Sequence, residues 1–203
     1  MPKLYYSPGL CSLSPHIALY EAGLTFTTEK VDLATKKTET GADFNAINPK
    51  GYIPALQLDD GSVMAEGAAI VLWIASQAPA GKLSPAIGTP DYFKMVEWLV
   101  FIGTEIHKSY TPLFNPAVND DAKAVLKEKL KLRLSTADKL LGKGPYVMGQ
   151  NFTVADGYLF TVLGWLGFQN LEITPWPNLA AFRETMLKRP AVIEAMKAEG
   201  LIS

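Results

Sequence analysis

The chain has 203 residues, 48% of them hydrophobic and 19% charged, with a formal net charge of −1. Its length suits two small domains, and its composition is that of an ordinary globular protein with a sizeable core. With no basic block, nucleic acid and anionic membranes are not expected as partners, and a single cysteine excludes an intramolecular disulfide and a CxxC zinc pair.

Residues 1–6 lack the charged region and long apolar stretch of a signal peptide, so a reducing, cytoplasmic setting is expected. Residues 3–7 read as a strand. Residues 15–22 read as a helix stopped by Gly23, with Ser12 or Ser14 as N-cap and Pro15 in the first turn. Cys11 lies between them, in Gly9-Leu10-Cys11-Ser12-Leu13-Ser14. A strand-to-helix turn aims backbone N–H groups and the positive end of the helix dipole at whatever sits there, which favours a thiolate. A free cysteine is otherwise a small buried hydrophobe. Ser14 holds the second position of a CxxC spacing, so a mixed disulfide at Cys11 has no resolving thiol in the chain, and an external thiol is implied. His16, inside the helix, reads as structural.

Residues 25–33, rich in β-branched side chains, read as a second strand, followed by a polar loop over 34–40 carrying Lys36 and Lys37. The turn-rich run Asn48-Pro49-Lys50-Gly51-Tyr52-Ile53-Pro54 leads into a strand at 55–58. Asp59-Asp60-Gly61 then turns a hairpin into 62–64, and 66–76 form an amphipathic helix. The order β-α-β, hairpin, α fits a small open sheet with helices on its faces. Pro54 stands directly before a strand, which makes Ile53–Pro54 a candidate cis peptide. The Ile53 backbone is placed to bond an extended peptide as an added strand. Glu66, followed by the small residues Gly67, Ala68 and Ala69, opens a helix whose N–H groups can help receive both poles of an amino acid. A carboxylate in a first turn is equally stabilised by the dipole with no ligand at all. Lys36 can pair with a carboxylate, although exposed lysines are usually only solvated.

Residues 78–90, rich in Ala, Pro, Gly and Ser, read as a linker, and everything beyond as helix. This gives an α/β domain over 1–80, a linker over 81–90 and an all-α domain over 91–203. A stripe of Phe93, Val96, Val100, Gly103 and His107 runs through a helix at 91–110. His107 on that stripe is either a core histidine or, with Thr104 one turn away, an imidazole lining a cleft and able to hydrogen-bond or polarise a thiol. A lysine-rich helix follows at 120–141. Thr153-Val154-Ala155-Asp156 is a capping-box variant opening an apolar helix to Phe168, too short to span a bilayer, which takes ~20 residues. Shorter helices are expected at 179–187 and 191–199. Asn151-Phe152-Thr153 matches a glycosylation sequon, read as chance. Two distant histidines and one cysteine make a metal site unexpected, and Walker, GxGxxG, GxSxG and HExxH sequences are absent.

Five runs in order resemble the bacterial beta-class glutathione transferases: Tyr-Ser-Pro-Gly-Leu-Cys-Ser-Leu-Ser-Pro-His at the start, Asn-Pro-Lys-Gly-Tyr-Ile-Pro-Ala-Leu, Glu-Gly-Ala-Ala-Ile after the hairpin, Thr-Glu-Ile-His-Lys at 104–108, and Phe-Thr-Val-Ala-Asp at 152–156. The resemblance implies the glutathione transferase fold, with a thioredoxin-like N-terminal domain that binds glutathione and a helical C-terminal domain that receives the electrophile. It implies an enzyme acting as a homodimer, with glutathione as cosubstrate and no permanent cofactor. Cys11 would face the glutathione sulfur and be able to form a mixed disulfide with it. Ile53, before a cis Pro54, would hold the cysteinyl part, Glu66 and Gly67 the γ-glutamyl end, and Lys36 a carboxylate. Thr104, His107 and Lys108 would lie near the glutathione, and Ser12 and His107 would offer donors to the thiolate. Phe114, Trp165 and Phe168 are candidates for the apolar electrophile pocket.

Two positions depart from the pattern. Val100 stands where some members have an asparagine, and Gly157 stands where an apolar staple partner for Phe152 is expected. Glutathione-dependent thiol–disulfide exchange, removal of halogen from an aromatic compound, and non-catalytic ligand binding remain as rival activities.

Overall fold

The computed structural model describes all 203 residues. Its strands, in chain order, are β1 (Lys3–Tyr6), β2 (Thr27–Asp32), β3 (Lys37–Thr38), β4 (Ala55–Gln57) and β5 (Val63–Ala65), laid side by side as β3-β2-β1-β4-β5. β1 runs parallel to β2 and antiparallel to β4, while β3 and β5 are antiparallel edges. A parallel pair cannot be joined by a tight turn and needs a crossover, which α1 (Leu13–Ala22) supplies. Period-two alternation then sorts the strand side chains. Leu4 and Leu56 face the main core, whereas Tyr5, Val31, Ile53 and Ala55 form a smaller one with Phe44. Phe44 belongs to a single turn, α2 (Phe44–Ile47), capped by Asp43, whose carboxylate accepts from Asn45 N–H. Neither α2 nor β3 was expected, because elements this short carry no periodicity.

α3 (Gly67–Gln77) closes the first unit, and the helical half begins with α4 (Pro90–Phe101), N-capped by Thr89 with proline in its first turn. The α4 helical period is as expected, but the buried face differs. Met95, Trp98, Leu99, Ile102 and Ile106 enter the core, while Phe93 is 61% and Val100 54% exposed. The chain continues as a π-helical segment over Ile102–His107, then α5 (Lys108–Tyr110) and α6 (Asp120–Leu141).

α7 (Val154–Leu163), every residue of it buried, ends five residues before Phe168. Its first turn is held by Asp156, which accepts from the backbone N–H groups of Val147 and Thr153 and from the Thr153 hydroxyl. The missing staple has a physical reason. A Cβ at Gly157 would already be in ordinary contact, 3.6 Å, with the Ile17 side chain and the Ser14 carbonyl, which leaves no room between α1 and α7 for the longer apolar side chain that a staple needs. Phe152 packs instead under the Arg189 guanidinium, 4.1 Å from its ring centroid.

α8 (Pro177–Met186) and α9 (Pro190–Ala198) complete the chain, and α9 returns to α1. α1 is thus enclosed between the sheet unit and the helical half, and it is buried on nearly every side, Ser14 and His16 included. No helix is long and apolar enough to cross a membrane.

Candidate active site

A cavity of about 540 Å³ opens where the two halves meet. The sheet unit contributes Leu10, Cys11, Ile53, Pro54, Glu66 and Gly67. The helical half contributes Val100, Gly103, Thr104, His107 and Lys108 from α4, the π-helical segment and α5. An apolar end is formed by Tyr110, Phe114, Tyr158 and Trp165. Eight of the ten candidate residues therefore share one wall system. Ser12 and Lys36 stand apart from it.

The turn carrying Cys11 is braced from below. Ser12 occupies the N-cap position of α1, yet its hydroxyl makes no cap bond. Fully buried, it accepts from Ser7 N–H and donates to the Ser7 carbonyl. The Gly9 peptide is held at both ends: its N–H donates to Glu199 at 2.8 Å, and its carbonyl accepts from Trp165 Nε1 at 2.9 Å. Cys11 Sγ donates to the Ile53 carbonyl at 3.3 Å. Burial pushes the thiol up to about 11, outweighing the N–H groups of Cys11 and Ser12 that favour the thiolate. The sequence expectation of a favoured thiolate does not hold here, because desolvation outweighs the helix N-terminus.

Ile53–Pro54 is cis. Glu66 adopts φ 72°, the left-handed region in which a non-glycine residue is strained, and such strain gathers at functional sites. Its carboxylate accepts from Lys50 Nζ at 2.6 Å and Tyr52 Oη at 2.7 Å, and these partners, led by Lys50, hold it below the usual carboxylate range. At α3, Gly67 follows with its Cβ position 3.8 Å from Pro54, leaving the helix start open to the cavity. Lys36 Nζ donates to the Gly51 carbonyl at 2.7 Å and does not reach the cavity wall.

On the opposite wall, Thr104 donates back to the Val100 carbonyl at 2.9 Å. His107 Nδ1 is 2.7 Å from the Tyr158 hydroxyl. Burial, with Lys108 beside it, pulls this imidazole down to about 4, so it is neutral at pH 7. Val100 presents only hydrocarbon to the cavity. Tyr158, missed by sequence reading, sits in a run that looks like plain core, and its phenol within apolar neighbours was the one available signal. Phe114 and Trp165 line the apolar end as expected, whereas Phe168 is 69% exposed and lies outside the lining.

Comparison with known proteins adds the following. Two family models match the chain: "Glutathione S-transferase, N-terminal domain" over residues 9–77 and "Glutathione S-transferase, C-terminal domain" over 101–190. The chain is 43% identical to "Glutathione S-transferase GstA" of Escherichia coli O157:H7 over 199 residues, covering 98% of this chain and 99% of that protein. A sphingomonad glutathione S-transferase solved in complex with glutathione superposes with a TM-score of 0.94 at 47% identity, over 98% of this chain and all of that one. The bacterial beta-class glutathione S-transferase of Sphingomonas chungbukensis gives a TM-score of 0.94 at 46% identity, with coverage of 98% and 100%.

Proposed function

Because the chain belongs to the glutathione S-transferase family, in its bacterial beta class, we propose that it binds glutathione along the cleft between its halves and promotes attack of the thiolate on an apolar electrophile. The observation that carries this reading is the convergence of Cys11, Ile53, Glu66, Gly67, Thr104, His107 and Lys108 on one cavity. Glu66 takes the ammonium end of the γ-glutamyl group and the N-terminus of α3 its carboxylate. The Ile53 backbone pairs with the cysteinyl unit as an added strand. The sulfur then lies between Cys11 and His107, and its negative charge draws on the backbone N–H groups of the Cys11 turn. Ser12 acts through its backbone alone, and Lys36 reaches a carboxylate by releasing the Gly51 carbonyl. Tyr110, Phe114, Tyr158 and Trp165 supply aromatic surface for the electrophile.

Residues 1–80 serve glutathione, 81–90 join the halves, and 91–203 form the electrophile side. Glutathione is a cosubstrate in this scheme, and no resident cofactor takes part. A cytoplasmic homodimer that detoxifies electrophiles is the natural setting, and the exposed Phe93 and Leu140, each 61% exposed beside a second cavity, support pairing of two copies.

Cys11 forms a mixed disulfide by exchange: its thiolate attacks oxidised glutathione, the old S–S bond breaks, and one reduced glutathione leaves. The test pairs two measurements. Wild type should conjugate glutathione to an aryl halide, and intact-mass analysis after exposure to oxidised glutathione should show an adduct that Cys11→Ala lacks. An adduct retained by Cys11→Ala would refute the assignment of the disulfide, and absence of both binding and conjugation would refute the function.

A further inference from the structure

A neutral imidazole has one N–H, and which nitrogen carries it decides whether the other face donates or accepts. His107 has two faces of different kinds. Nδ1 meets the Tyr158 hydroxyl, while Nε2 has no protein partner and is not sealed off from the cavity that His107 lines. The ring is fixed by aromatic edges, with Trp165 at 4.8 Å and 70° and Tyr158 at 5.8 Å and 87°. Trp165 does not compete for either nitrogen, since its own N–H is bonded to the Gly9 carbonyl.

The direction of the Tyr158–His107 bond follows from donor strength and length. A phenol is a far stronger acid than an imidazole N–H, and an imidazole nitrogen lone pair is a better acceptor than a phenolic oxygen. The 2.7 Å separation matches bonds donated by O–H, ~2.7–2.8 Å, better than bonds donated by N–H, ~2.9–3.0 Å. His107 is also the sole protein partner of that hydroxyl, so reversing the bond would leave the phenolic hydrogen without a protein acceptor. Burial holds the phenol in its protonated, donating form. The hydroxyl packs against the π-helical segment at Gly103, where a Cβ would be in ordinary contact with its oxygen at 3.5 Å.

We infer that Tyr158 is a positioning residue: by donating to His107 Nδ1 it fixes the tautomer in which Nε2–H points into the cavity. His107 then serves the reaction as a hydrogen-bond donor to sulfur and not as a base. The glutathione thiol loses its proton to solvent, the Nε2–H bond stays intact, and the donor stabilises the sulfur anion. This role rests on the reading that the glutathione sulfur sits beside His107. The tautomer itself does not.

Two-bond ¹H–¹⁵N spectra of ¹⁵N-histidine-labelled protein, without glutathione at pH 7.5, read the tautomer directly. The two histidines are told apart by the signal lost in His107→Gln. The protonated nitrogen of His107 should be Nε2, and a proton on Nδ1 overturns the proposal whether or not the enzyme conjugates glutathione. In Tyr158→Phe the Nδ1 resonance should shift toward that of an unbonded imidazole nitrogen. Conjugation kcat should fall about tenfold, with the KM for glutathione within twofold. His107→Gln, whose amide N–H reaches the Nε2 position, should keep at least tenfold more kcat than His107→Asn, whose amide reaches only Nδ1. Equal or reversed activity of those two variants overturns the donor role.

Discussion

Cys11 stands where a dipole argument and a desolvation argument give opposite answers, and the depth of the turn decides between them. The sequence shows the turn but not its depth, so the position of this residue was legible and its ionisation was not. With the thiol at about 11, the rate of alkylation by iodoacetamide should climb with pH through 9 and beyond in the absence of ligand. A plateau below pH 8 would contradict the burial account. For His107 the sign runs the other way. Its folded value near 4 lies below the ordinary 6.5, so the folded protein binds fewer protons between those values and loses stability as pH falls through that window. Urea unfolding of wild type and His107→Gln should therefore diverge below about pH 6.5, with wild type showing the steeper loss. Parallel curves would show that burial of the ring carries no such linkage. Tyr158 and the bracing of Ser12 were not readable, because a hydroxyl in an apolar run gives no sign of the atom it will meet.

Among the elements, α4 and α7 show what periodicity does and does not convey. The α4 pattern marks a helix correctly, yet two apolar stripes compete on it. The one through Phe93 and Val100 faces outward or into the cleft, while Met95, Trp98 and Leu99 form the core. Hydropathy alone does not rank them, since a cleft wall and a core face are both apolar. The π-helical segment was also invisible, having no residue signature of its own. In α7 the capping box was legible from Thr153 to Asp156, but the added bond from Val147 N–H was not. Asp156→Ala strands two buried N–H groups, each costing ~1–3 kcal/mol, so a loss of about 2–6 kcal/mol is expected in denaturant unfolding. A loss under about 1 kcal/mol would mean that water replaces the carboxylate.

Across the whole molecule, the two halves are joined through α1. Arg189 grips Glu21 by two bonds of 2.6 and 2.9 Å while lying over the Phe152 ring, so the end of the chain is fastened to its first helix. Glu199 goes further, bonding both His16 Nδ1 at 2.9 Å and the Gly9 N–H at 2.8 Å from a buried position. The general architecture was readable from the β-α-β order and the helical half, whereas these long-range pairs leave no trace in local pattern. Glu199→Ala leaves the Gly9 N–H and His16 Nδ1 without their partner, each costing ~1–3 kcal/mol, so Tm should fall by roughly 4–24 °C. Because the Glu199 charge opposes the Cys11 thiolate, the same variant should be alkylated faster at pH 8. An unchanged Tm together with an unchanged alkylation rate would show that the clamp does not restrain the turn. The clamp also has a consequence in time. His16 and Glu199 are 183 residues apart, a stretch that takes roughly 10–40 s to translate. The cysteine turn is thus completed only after the segment carrying Glu199, made long after it, has arrived.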